Sequence, residues 1–194
     1  MTAPERAVNR KTPSVGLSAG RGFLVFKLLV YGLLLVDAVL LYVHGSWREV
    51  LEQTGWLMIL TAFEMESRGL HRRWLTGLEA MGYALALVCW AAYALAGEWL
   101  DLANATLWLL VVAALAFDLH RPPHYGSSGW RWRNRAKAGL YAALAGIALN
   151  WGVQGDWLDA WDAMLWLLCF FVIELKLFDV LRRRLRRPVA ASGG

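Results

Sequence analysis

Six marked positions recur three times along this chain in one fixed register. Arg21, Tyr31, Gly45, Trp47, Glu49 and Trp56 return 52 residues later as Arg73, Tyr83, Gly97, Trp99, Asp101 and Trp108. After a further 58 residues they return as Arg131, Tyr141, Gly155, Trp157, Asp159 and Trp166. The spacing within each copy is the same, with no insertion or deletion between markers. A fixed internal period of this kind means one supersecondary unit used repeatedly, and it constrains the fold more than any single motif does.

The solvent for that unit follows from composition. The chain has 194 residues, 58% of them hydrophobic, with 12 Trp, and its mean hydropathy is +0.40. Such a profile belongs to membrane proteins, not to soluble globular ones. A helix needs about 20 apolar residues to cross a hydrocarbon core. Six stretches meet or approach that length: about 23–44, 50–68, 75–96, 102–119, 136–154 and 158–181. The predicted fold class is therefore an all-α integral membrane protein with six transmembrane helices, arranged as three tandem two-helix hairpin repeats. An even number of spans per repeat gives every copy the same polarity, which predicts a pseudo-threefold axis along the membrane normal and not an inverted repeat. The segments are a disordered cytoplasmic tail (1–20), hairpin repeats at 21–70, 71–125 and 126–181, and a basic cytoplasmic tail (182–194).

Basic residues set the orientation, because Lys and Arg are retained on the cytoplasmic side. With both termini inside, Arg48 is the one outer residue among the 20 Lys and Arg. The outer turns are instead acidic, with Glu49, Glu52, Glu98, Asp101, Asp156, Asp159 and Asp162. The expected location is the cytoplasmic membrane, multi-pass, with N- and C-termini cytoplasmic. The net charge of +5 is then first a topology signal. The arginines from Arg182 to Arg187 also suit anionic lipid head groups, at about 1 kcal/mol per residue near the surface, and nucleic acid is not needed to explain them. A second copy or a membrane-complex partner stays open. The first span is too long for a signal-peptide core and no small-residue cleavage site follows it, so it is expected to be retained.

Depth along the helices groups the markers further. With Trp47, Trp99 and Trp157 at the outer interface, Trp56, Trp108 and Trp166 lie roughly 13 Å deeper. Tyr31, Tyr83 and Tyr141 approach a similar level from the other side, about 15 Å in. Either these aromatics hold each hairpin together or they line a central path. Intramembrane charges separate these roles better, because burying them is costly. Lys27, Glu79 and Lys137 share one repeat position. Glu64 and Glu174 share another, filled in the second copy by Ala116. A Glu thus appears where the facing helix has Lys and is absent where it has Glu79, which predicts the ion pairs Lys27–Glu64 and Lys137–Glu174. Charges that depart from the repeat are the functional candidates. Asp37 aligns with Cys89 and Ile147, Glu79 has no such partner, and Asn150 is a polar companion at a depth near that of Asp37.

Several chemistries lack their signatures. Cys89 and Cys169 fall within spans, giving neither a disulfide framework nor a metal site. His120 and His124 are separated by Pro122 and Pro123, which argues against a helical metal pair. No phosphate-binding Gly loop, metalloprotease motif or nucleophile elbow is present, and Gly126–Gly129 is read as a flexible loop. No cofactor, metal or catalytic residue is expected. The first functional reading is a small channel or transporter for an ion or small polar solute. The alternative is a non-transporting scaffold, assembly factor or subunit of a larger membrane complex. An enzyme or haem carrier comes third.

Overall fold

The Gly-x-Trp-x-acid signature is a helix–turn–helix junction, and its three occurrences punctuate the chain. In the computed structural model, which describes residues 16–70, 72–121 and 126–186, six helices run α1 (Gly16–His44), α2 (Trp47–Ser67), α3 (Arg73–Ala96), α4 (Trp99–His120), α5 (Ser128–Gln154) and α6 (Trp157–Arg186). Gly97 and Gly155 close α3 and α5 in left-handed conformation, with φ of 74° and 96°, a state that costs most side chains energy. Gly45 serves for another reason: a Cβ there would lie 2.6 Å from the Leu41 carbonyl oxygen. The following Trp opens the next helix. The acid two residues on stands in its first turn, where negative charge offsets the helix dipole. At Ser46 the arrangement is a full capping box with Glu49.

Among the described residues the architecture is all-helical. Each helix packs on its successor, α6 closes back on α1, and α4 and α6 touch across the interior. α2, α4 and α6 supply Trp56, Trp108, Val111, Leu165, Trp166, Cys169 and Phe170 to the main buried core. The most extensive seam joins α2 to α3, between hairpins and not within one. Gly55 and Gly82 account for it. A Cβ on Gly55 would lie 2.9 Å from the Gly82 carbonyl oxygen, and one on Gly82 would lie 2.6 Å from that of Gly55. Small residues let helix backbones meet this closely, which strengthens packing where lipid supplies no hydrophobic drive.

Among the described residues three helices are long and apolar enough to cross a bilayer: Gly22–His44 in α1, Arg73–Ala96 in α3 and Trp99–Asp118 in α4. Large apolar side chains such as Leu28, Leu35, Val39, Leu87 and Leu95 stand exposed on α1 and α3, as expected of a lipid-facing surface. These features mark a membrane protein. The expectation of six apolar spans is met by three, for a chemical reason. α2 carries Arg48, Glu49, Glu52, Glu64 and Glu66, α5 opens with Arg131, Arg133, Arg135 and Lys137, and α6 contains Asp159, Asp162, Glu174, Lys176 and Asp179.

Two boundaries also shift. α1 begins at Gly16, inside the stretch expected as a tail, and α6 runs to Arg186, into the expected basic tail. Residues 1–15 and 187–194, with His71, Pro122, Pro123 and His124, lie outside the described residues.

Candidate functional site: an acidic, aromatic funnel over a tryptophan plug

At the end of the bundle that carries the three Gly-x-Trp junctions, a funnel encloses about 550 Å³, part of it open to solvent. Its walls come in sets that share sequence register. Leu41, Tyr93 and Trp151 form one set, Glu49, Asp101 and Asp159 a second, and Glu52, Asn104 and Asp162 a third. Trp56, Trp108 and Trp166 form its floor together with Phe170. Among the described residues no Lys, Arg or His lines it. Arg48, a basic residue at this end, is ion-paired with Glu98 in the turn between α3 and α4.

The floor is a ring cluster. Trp56 lies 6.5 Å from Trp108 and 6.2 Å from Trp166, centroid to centroid, and Phe170 sits 4.9 Å from Trp108. The tilted and edge-on contacts suit the ring quadrupoles, at about 0.5–1.5 kcal/mol per pair beyond area burial. All four rings are at least 95% buried. Two indole N–H groups are anchored by polar side chains: Trp166 donates to Gln53 Oε1 at 2.7 Å, and Trp56 to Glu52 Oε1 at 3.4 Å. Tyr93 donates to the other Glu52 oxygen at 2.8 Å, fixing that carboxylate on the wall.

Asp37, 0% exposed, lies outside the funnel lining, against two of its residues, Gln53 and Asp162. Gln53 Nε2 donates to its Oδ2 at 2.9 Å. Gln53 thus ties α1 to α6 through two hydrogen bonds while itself only 4% exposed. The Asp37 carboxyl also faces that of Asp162 within hydrogen-bonding reach. Each of the two keeps a buried Oδ1 with no donor, and so does Asn104 on the wall. Facing carboxyl groups repel when both are charged, so the pair calls for positive charge, from a proton or a bound cation.

Beneath the plug lies a second cavity of about 680 Å³, part of it also open to the outside of the bundle. It shares Trp56, Trp166 and Phe170 with the funnel and is otherwise mostly apolar, with Ile59, Leu60, Phe63, Val112, Leu115 and Ile173. Glu79 and Tyr83 are its polar exceptions. They hydrogen-bond to each other one turn apart on α3, so Glu79 does have a partner, on its own helix.

The charged pairs sit at the opposite end from the funnel. Lys27, 6% exposed, is ion-paired with Glu64, which also accepts from Arg68 at 3.0 Å and from the Tyr31 hydroxyl at 3.4 Å. Lys137 lies 2.6 Å from Glu174 and 3.1 Å from Asp118, and Arg133 also reaches Asp118 at 3.1 Å. Lys137 therefore joins three helices where one pair was expected.

Other sequence candidates divide. Trp56, Trp108 and Trp166 converge, but the tyrosines do not line one path. Tyr83 borders the lower cavity, Tyr31 lies between α1 and α2, and the Tyr141 hydroxyl is buried without a partner. Asn150 is corrected: it is exposed on α5 and outside the funnel lining. The companions of Asp37 are Gln53 and Asp162. Neither was singled out by sequence reasoning as a path residue, yet Gln53 breaks the repeat as Asp37 does, standing where the other copies have Ala105 and Ala163. Among the described residues no cluster of His, Cys, Asp and Glu is arranged to hold a metal ion. No family model, curated protein or solved structure matches the chain.

Proposed function

We propose that this chain is a small multi-pass membrane transporter that admits a cation or small polar solute from the outer face. The observation that carries the reading is the pair of stacked cavities, one acidic and one apolar, divided by a single layer of four aromatic rings. A carrier needs a site reachable from one side, a barrier that moves, and a second compartment beyond it. Polar groups inside a membrane bundle are expensive unless they serve a path, and five carboxylates on one wall exceed what packing requires.

In this reading all six helices cross the bilayer. Of the charges that disqualify α2 and α6 as apolar spans, Glu49, Glu52, Asp159 and Asp162 line the funnel, and Arg48, Glu64 and Glu174 are ion-paired. The three hairpins stand round a pseudo-threefold axis, supported by register-matched residues supplying every layer of the funnel wall. The termini are cytoplasmic, the funnel opens outward, and the acidic mouth concentrates cations. A scaffold or complex subunit is the second reading, favoured by the closed plug and the apolar residues below it.

Reconstitution separates the two. Proteoliposomes should take up a monovalent cation faster than protein-free vesicles, and Asp37→Asn or Glu79→Gln should change that rate at equal protein content. Uptake equal to empty vesicles across inorganic and organic cations supports the scaffold.

A further inference from the structure

We infer that the funnel binds an organic ammonium ion, with the nitrogen held among the carboxylates and its alkyl groups against the aromatic floor. The inference rests on the transport reading only for what happens after binding. The wall itself states the ligand chemistry. Indole and phenol rings of Trp56, Tyr93, Trp108, Trp151 and Trp166 share one cavity with acids and, among the described residues, with no basic side chain. Aromatic faces attract cations that shed water easily, and a desolvated contact of this kind is worth about 2 kcal/mol.

Three further observations narrow the class. The acids are spread round the wall, and no group of His, Cys, Asp and Glu among the described residues is close enough to hold a metal ion. Compact hard cations need six or more oxygens at about 2.3–2.6 Å, whereas an alkylated ammonium carries diffuse charge that distant carboxylates can balance. The space of about 550 Å³ includes open solvent at the mouth, so the site is reached from outside the bundle. Finally, Asp37 is fully buried with Oδ1 unserved, it faces Asp162 on the funnel wall, and Asn104 Oδ1 above is unserved as well. Buried acceptors without donors are rare in native structures, and two of these three belong to residues that line the funnel, Asn104 and Asp162.

The probe is choline, titrated calorimetrically into the purified full-length protein in detergent, against 3,3-dimethylbutan-1-ol, its uncharged equivalent of the same shape. Potassium serves as the inorganic control. Choline should bind about tenfold or more tightly than either comparator, and Asp101→Asn together with Asp159→Asn should weaken it severalfold. Equal binding of the neutral alcohol, preference for potassium, or no heat with any of them overturns the inference. The comparison of ligands uses unmodified protein, so it holds even where a variant misfolds. Binding of choline without any flux in liposomes would overturn transport and leave this site standing. Potassium flux without choline binding would do the reverse.

Discussion

Replacing Lys137 with Met should destabilise the protein more than the same change at Lys27, although the two residues are equivalents in the repeat. Removing one member of a buried ion pair costs about 3–5 kcal/mol, because the remaining charge keeps its desolvation penalty and loses its partner. At Lys137 the loss falls on two carboxylates, Glu174 at 2.6 Å and Asp118 at 3.1 Å. Asp118 retains Arg133, but Glu174 has no second ion pair among the described residues, so the full cost of about 3–5 kcal/mol is expected there. At Lys27 the stranded Glu64 still has Arg68 at 3.0 Å and Tyr31 at 3.4 Å. Arg68 is well exposed, so its help is partly screened, and a smaller cost of about 1–3 kcal/mol follows from retained hydrogen bonds. Reversible unfolding in mixed micelles, read by near-ultraviolet circular dichroism, measures both. Adding Glu174→Leu to Lys137→Met should recover most of the loss, since no unpaired charge is then left at that position. Equal destabilisation of the two single variants, or no recovery in the double, would refute the reasoning that these charges are partners and not residues reaching independently for water.

Three other outcomes follow from the packing. Gln53→Leu strands the Trp166 N–H and Asp37 Oδ2 together, costing about 2–6 kcal/mol in the same unfolding measurement; a change below about 0.5 kcal/mol, within the ordinary range of surface substitutions, contradicts the bridge. Gly82→Leu should separate α2 from α3 and cost about 1–3 kcal/mol by overpacking, while Gly77→Ala, with open space at its Cβ position, should be neutral or stabilising. Trp108→Ala removes one plug ring at about 3–5 kcal/mol; protein that still folds should leak solute through proteoliposomes faster than the unaltered chain, and an unchanged leak denies the plug its barrier role.

Much of the architecture was legible in the sequence because repetition restricts what each position does. The Gly-x-Trp-x-acid junction fixed the three tight turns, and alternation of Lys and Glu across copies named the partners of Lys27 and Lys137. The same alignment also held the funnel wall. Glu52, Asn104 and Asp162 share a register and are polar in every copy. What the sequence concealed were contacts that break the symmetry. The Gly55–Gly82 approach joins residues whose counterparts, Leu107 and Leu165 on one side and Val30 and Leu140 on the other, are bulky. No spacing rule relates two glycines on helices of different hairpins. Asn150 failed for a related reason: depth along a helix places a residue at a level but not on a face, and α5 turns it outward. α2, α5 and α6 fall short of the apolarity of a span because each carries several charged residues, and composition averaged over a helix cannot separate one face from another.

Cysteine accessibility in intact cells tests the central claim, a bundle whose acidic funnel opens outward above a sealed aromatic layer. In a background with Cys89 and Cys169 replaced by Ala, a membrane-impermeant maleimide should label Asn104→Cys and Asp162→Cys from outside. It should spare Leu115→Cys, below the plug, and reach Arg68→Cys only after the cells are permeabilised. Labelling of Arg68→Cys in sealed cells with Asn104→Cys protected would contradict the orientation, and ready labelling of Leu115→Cys would contradict the plug.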